Sequence, residues 1–211
     1  MSSLESLLKD KTLTFNMKLE VPSKSEFLRG VQKYERDATY KVVQFYIEKH
    51  WNNPLEMTYG LVLFLYTWNS AFYRFGGLSY DMIESCIRDN LEAIDKFKTR
   101  NILTLSKEDE QEVSKLFLAF LKGTKRSDTK RSDGVESPVS ASKSLHLFAP
   151  DFFPAWDRKI ANAYGCNYNN DKAGAYIKFC WLMKEFAEKV NQYNIKIQDR
   201  TLLKAIDEYN Y

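Results

Sequence analysis

Histidine and cysteine are scarce in this chain: His50 and His146, then Cys86, Cys166 and Cys180, among 211 residues. Zinc, haem and iron–sulfur centres need clustered His and Cys ligands, and none cluster here. Scattered thiols, odd in number, point to a reducing, intracellular setting rather than a disulfide framework. Glycine is also sparse, at eight residues. No phosphate-cradling loop and no dinucleotide fingerprint can be assembled from them, and Gly76-Gly77 reads as a turn. The longest apolar run, Leu61 to Trp68, is far too short for a membrane span. The N-terminus lacks a basic region followed by an apolar core, so no signal peptide is expected. Charge of one sign is missing as well. The net charge is only +3, so binding to phosphates has to come from a local patch. A Ser-His-Asp constellation could still form in space, but nothing resembles a nucleophile elbow. A Cys-His pair has weak support.

Aromatics are plentiful, at 15%, and charged residues make up 28%. This is the composition of a folded domain with a sizeable core. Residues 1–22 form an N-terminal arm in which Leu13, Phe15, Met17, Leu19 and Val21 alternate well enough for a short strand. From Ser23 the periodicity is helical. One long helix, or two broken near Asp37, spans Ser25 to Trp51. Asn53-Pro54 is a helix start, with asparagine as cap and proline first inside. The helix that follows, Leu55 to about Phe75, is apolar on nearly every side, which predicts a position at the centre of the domain. Ser79 caps a helix with the stripe Met82, Ile83, Cys86, Ile87, Leu91, Ile94, Phe97. Residues 98–105 read as a loop. Ser106 opens another helix, with Val113, Leu116, Phe117, Phe120 and Leu121 on one side. The expected fold class is all-α: one helical domain over residues 23–211, in two lobes with a cleft between them.

One low-complexity segment interrupts the helices, residues 122–137, in which TKRSD occurs twice. Lys125, Arg126, Lys130 and Arg131 are offset in part by Asp128 and Asp133, and the segment predicts a mobile loop or a hairpin. After it comes Pro138 to Gly165, a helix, a sharp break and a second helix. Ser137 caps the first, with Pro138 at its first position, and Pro150 stops it. Phe152, Phe153 and Pro154 form an apolar connection. Ala155 to Tyr164 is expected to be helical again, which places Asp157 at a helix mouth where the dipole favours a carboxylate. Lys143 lies one turn inside the preceding helix, and His146 follows it by three residues. An acid at a helix mouth, a lysine and a set of aromatics fit a reaction centre, and they fit a piece of core equally well. Ala173 to Asn191 and Thr201 to Tyr209 complete the helices.

The stretch SASKSLHLFAPDFFPAWDRKIANAYG is similar to the end of the signature of the helix-hairpin-helix DNA glycosylases, the superfamily of the 8-oxoguanine glycosylases and endonuclease III. Pro154-Ala155-Trp156-Asp157 resembles the turn that presents the family's catalytic aspartate. Leu65-Tyr66-Thr67-Trp68-Asn69-Ser70 resembles the end of the early helix that wedges into DNA. The hairpin departs from the family pattern, since only Gly134-Val135 survives of its two glycines. The family's lysine slot falls near Val139, and Lys143 lies one turn later on the same face.

The resemblance implies a two-lobed glycosylase that flips a damaged or modified base out of duplex DNA. Asp157 would be the catalytic carboxylate and Lys143 the amine that forms a Schiff base. Trp68 and Asn69 would form the wedge, while Lys125, Arg126, Lys130 and Arg131 grip phosphates. Phe148, Phe153, Trp156 and His146 would wall the base pocket. No cofactor is expected, the partner is double-stranded DNA with a modified base, and the chain would act as a cytoplasmic monomer in repair or in antiviral defence. The missing glycine favours another class, a non-catalytic helical module that binds nucleic acid or protein. A hydrolase of another kind, built on Asp157 and His146, is the third reading.

Overall fold

A computed structural model of the chain describes residues 20–33, 38–167, 169–195 and 200–210. The N-terminal arm, apart from its last three residues, lies outside them. Within these residues the protein is helical apart from one two-stranded hairpin. The elements are α1 (Lys24–Lys33), α2 (Ala38–Lys49), α3 (Pro54–Trp68), α4 (Ser70–Tyr73), α5 (Tyr80–Lys98), α6 (Glu110–Gly123), β1 (Arg126–Asp128), β2 (Arg131–Val135), α7 (Pro138–Phe148), α8 (Arg158–Ala163), α9 (Lys172–Asn191) and α10 (Leu202–Asn210). Two short 3-10 turns, Ile102–Thr104 and Lys107–Asp109, join α5 to α6.

The helices start where polar side chains can satisfy their first N–H groups. Asn53 accepts from the Glu56 amide, Ser79 from Met82, Ser137 from Ser140 and Asp171 from Gly174. Ser106 and Asp109 form a reciprocal capping box. Asp109 is also gripped by Arg100 through two hydrogen bonds of 2.7 Å. That guanidinium holds the Asp109 carboxyl at about 2, well below the ordinary carboxylate range.

α7 is the centre of the molecule. Every residue of it except Val139 is buried, and it packs against α6, α3, α2 and α5. α3, apolar on paper all round, instead keeps one stripe in solvent: Leu55, Tyr59, Leu63 and Tyr66 are 39–51% exposed. Its other sides bury Met57, Leu61, Phe64 and Leu65. The helix predicted to run to Phe75 ends at Trp68. Asn69 caps it, and the chain resumes as the single turn α4. The reason is the Asn69 side chain, whose amide donates to Ser140 Oγ at 2.8 Å and Ser137 Oγ at 3.2 Å.

The duplicated TKRSD segment folds on itself as the β1–β2 hairpin, with Arg126 opposite Val135 and Asp128 opposite Arg131. The two copies have different surroundings. The first is sewn to the body. Arg126 donates to the Phe75 carbonyl at 2.9 Å, and the Ser127 amide donates to Gly77 O at 2.8 Å. The second copy, from Thr129 to Asp133, faces solvent. Glycines flank the sewn copy. A Cβ on Gly76 would lie 1.9 Å from the Ser127 carbonyl oxygen. Gly134 has φ +71°, and a Cβ there would lie 2.7 Å from Arg126 O. Gly134-Val135, expected in a helical hairpin, therefore belongs to a β-strand.

This packing distinguishes two adjacent glycines. Gly76→Ala is expected to cost about 2 kcal/mol or more and to release amide protection at Ser127, because a backbone carbonyl has to move. Gly77→Ala, whose Cβ meets only the Tyr66 hydroxyl at 3.6 Å, should stay within about 0.5 kcal/mol of the parent. Urea unfolding with hydrogen exchange at Ser127 checks both.

Candidate functional site

A helix buried on all sides has to find partners for every polar side chain it carries, because a buried polar group without one costs about 1–3 kcal/mol. α7 carries Ser140, Ser142, Lys143, Ser144 and His146, and those partners define the site.

Toward α3, the Lys143 ammonium donates to the carbonyl of Trp68, the last residue of that helix, at 2.5 Å. It also lies 5.5 Å from the centre of the Trp68 ring. Ser140 Oγ binds the same corner, accepting from the Asn69 amide and lying 2.8 Å from the Tyr73 hydroxyl, whose one proton goes to the Thr124 carbonyl. The Trp68-Asn69 corner and Lys143, 75 residues apart in sequence, are thus one assembly.

Toward the break after α7, the contacts fix the turn that carries Asp157. Ser142 Oγ meets both the amide and the carbonyl of Trp156 at 3.3 Å. The Trp156 indole donates to Pro138 O at 3.1 Å. Pro154 O accepts from Tyr176, and Pro150 O from Thr201. Asp157 is the N-cap of α8, its Oδ1 accepting from the Ile160 amide at 2.8 Å. It is half-buried. Asp157 thus opens α8, and the turn before it is held by the bonds between Trp156 and Ser142.

His146 is fully buried. Nδ1 lies 2.8 Å from the Phe153 carbonyl and Nε2 lies 3.1 Å from the Tyr40 hydroxyl. A carbonyl only accepts, so Nδ1 carries the proton and Nε2 accepts from Tyr40. Burial, opposed by the Asp207 carboxylate, lowers the His146 pKa to about 4. The ring is neutral at ordinary pH and is a structural strut for the Asp157 turn.

The buried constellation extends beyond the residues that sequence patterns single out. Tyr40 stacks on Trp68 at 5.1 Å and on His146 at 5.6 Å, both with rings 20° apart. From α10, Lys204 places its ammonium 4.6 Å from the Trp68 ring centre and 5.2 Å from that of Tyr40. It pairs with Asp207 at 2.8 Å, and both side chains are buried. A buried Lys–Asp pair adds little net stability over apolar packing of the same volume. No local signal marks Lys204 or Asp207. They become visible only once α10, packed on α1 and α9, carries the Lys204 ammonium to Tyr40 of α2 and Trp68 of α3.

Other expected site residues lie elsewhere. Phe148, Phe153 and Trp156 are core residues, each 0–1% exposed. Phe148 packs on Phe120 and Trp51, Phe153 on Phe97 and Phe152, and Trp156 on Phe117, Tyr176 and Phe179. Their faces are taken by other rings, so they do not wall an open pocket. Trp68 is half-buried and engaged with Tyr40, Phe64 and the two ammonium groups rather than projecting as a wedge. Of the basic residues, Lys130 and Arg131 are exposed on the hairpin and Lys125 is half-buried. Arg126 is committed to Phe75 O and to Asp128, 3.5 Å away. All three cysteines are buried, and burial raises the Cys86 thiol to about 12 and that of Cys166 to about 11. Among the described residues no group of three or more His, Cys, Asp or Glu could hold a metal ion, and no helix is long and apolar enough to cross a membrane.

No protein-family model, no curated protein and no solved structure matches the chain.

His146 gives the site a pH signature. Its pKa falls from the ordinary histidine value of 6.5 in the unfolded chain to about 4 in the fold, so between these values the unfolded state binds the extra proton. Stability is then full above about pH 6.5 and declines toward pH 4, by on the order of 3 kcal/mol in all. Urea midpoints measured from pH 7 to pH 4 should show this slope. In His146→Gln the part of it contributed by the imidazole should vanish.

Proposed function

We propose that this chain is a DNA N-glycosylase that removes a damaged or modified base, with Lys143 as the attacking amine and Asp157 as the carboxylate at the sugar. The observation that supports this most is the joining of three separated segments: the Trp68-Asn69 corner, the buried Lys143 ammonium on its carbonyl, and the turn that sets Asp157 at the start of α8. Breaking an N-glycosidic bond leaves positive charge on the sugar, and a fixed carboxylate stabilises it. In the reaction the Lys143 amine, having lost its proton, attacks C1′. The C1′–N bond breaks, and its electron pair leaves with the base, which takes up a proton. The resulting N,O-acetal then opens: the C1′–O4′ bond breaks, O4′ takes up a proton, and a protonated Schiff base is left between Lys143 and the sugar. Lys143 is only 6% exposed, so a flipped nucleotide reaches it only when the packing of Tyr40, Trp68 and Lys204 opens. The chain would act on duplex DNA as a monomer.

A non-catalytic binding module is the second reading. It is favoured by the β-ribbon that stands where the family has a glycine hairpin, and by the burial of Lys143.

The test uses duplexes carrying a panel of modified bases and one carrying an abasic site, with borohydride as trap. Base release should fall by about 10²-fold or more in Asp157→Asn. The covalent adduct with the abasic duplex should disappear in Lys143→Ala. Release without an adduct would leave a monofunctional enzyme and remove the amine from the mechanism. No release from any duplex and no adduct would sink the glycosylase and leave the binding module.

A further inference from the structure

Ten large apolar side chains are exposed among the described residues, and seven of them share one face. The middle of that face is the outer stripe of α3, Leu55, Tyr59, Leu63 and Tyr66. α2 flanks it on one side, where Ile47 and Tyr46 lie against Gly60 and the Tyr46 hydroxyl donates to Glu56. Val42, one turn before Tyr46, and Phe45 continue the surface outward, at 62% and 59% exposed. α5 flanks the other side. Its first residue, Tyr80, meets the Tyr59 ring edge-on at 6.3 Å, and just before it the Leu78 amide donates to the Tyr66 hydroxyl at 3.2 Å. Contiguous apolar patches on monomers rarely exceed a few hundred Å². At roughly 150–200 Å² for a large side chain, half exposed, these seven offer on the order of 600 Å².

Charge is absent from the stripe and opposite in sign at its two edges. Glu56, the one charged residue of α3, lies in the seam with α2. The α2 edge presents Lys41 and Lys49, with Glu48 against them. The α5 edge presents Asp81, Asp95 and the ion pair of Glu84 with Arg88, while Lys98 is laid on the Trp51 ring at 3.5 Å. The edges also match in height. Lys41 follows Tyr40, which stacks on Trp68 at the last residue of α3, and Asp81 follows Leu78, which is bonded to Tyr66 at that same end. Lys49 ends α2 at the opposite end of α3, and Asp95 accepts there from Trp51 at 2.8 Å.

We propose that this face binds a second copy of the chain, α3 beside α3, about a two-fold axis parallel to those helices. Such an axis keeps height along α3 and exchanges the edges. Lys41 of each copy then faces Asp81 of the other, Lys49 faces Asp95, and the uncharged stripe meets itself. An axis across α3 would set lysine edge against lysine edge, which opposes association. With the stems of the edge residues, the buried area reaches the about 800 Å² per partner of a standard interface. The pair is the state of the free chain. Each copy keeps its own Lys143 and Asp157, so the reaction proposed above needs one copy only, and the inference does not rest on it.

The test is sedimentation equilibrium of the full chain from about 1 to 200 μM. The mass should rise from 24.8 kDa to twice that value, with a dissociation constant on the order of 10 μM. Leu63→Glu places like charges at the middle of the interface and should weaken pairing about a hundredfold or more. Lys41→Glu alone, and Asp81→Lys alone, should each weaken it about tenfold. An equal mixture of these two variants restores opposite charges at both edges and should pair nearly as the parent does. Leu63 and Lys41 are exposed, so thermal unfolding of their variants at the lowest concentration should be unchanged. A parent that keeps the mass of one chain throughout would overturn the inference and leave the face to a different protein. Pairing of Leu63→Glu as tight as the parent's would overturn it as well. A mixture that pairs no better than its two components would overturn the parallel arrangement.

Discussion

The polar side chains of α7 have to be satisfied inside the protein, and much of the structure follows from that requirement. Ser140 draws in Asn69 and Tyr73, which ends α3 and starts the corner after it. Ser142 and His146 take hold of Trp156 and the Phe153 carbonyl, which fixes the turn before α8. Lys143 donates to the Trp68 carbonyl at the end of α3. Each bond satisfies a buried group whose loss would be costly, and each also sets the position of a residue in the candidate site.

The caps were the part of the fold most legible in the sequence. Ser137-Pro138, Asn53-Pro54, Ser79 and Asp157 each begin a helix for a reason that acts over three or four residues. Which helix is central was not legible from apolarity. α3 is the more hydrophobic sequence and keeps an outer stripe, whereas α7, with its serines, lysine and histidine, is enclosed. Small residues let neighbouring helices come close, and polar groups in the middle of a fold have partners on every side. Amphipathicity read from one helix carries no information about those partners. The same limit hid Lys204 and Asp207, whose place beside Trp68 depends on how α10 docks.

The two TKRSD copies show how little a local sequence decides. Five identical letters are in one case hydrogen-bonded to Phe75 and Gly77 and in the other exposed. The difference lies in what stands opposite: Gly76 gives the first copy a surface without a Cβ. Arginine at position 126 becomes a structural residue, and arginine at position 131 stays available for a partner.

The cluster around Trp68 gathers Tyr40, His146 and Lys204 from distant stretches of the chain. Closing such large loops is entropically expensive and comes late relative to contacts between neighbouring helices such as α6 and α7. The polar heart of the molecule is therefore expected to form late in folding, after the transition state. Changes there should act on the rate at which the native protein comes apart and leave the rate of its formation nearly untouched. The residues that carry the proposed chemistry would then also set the kinetic lifetime of the fold.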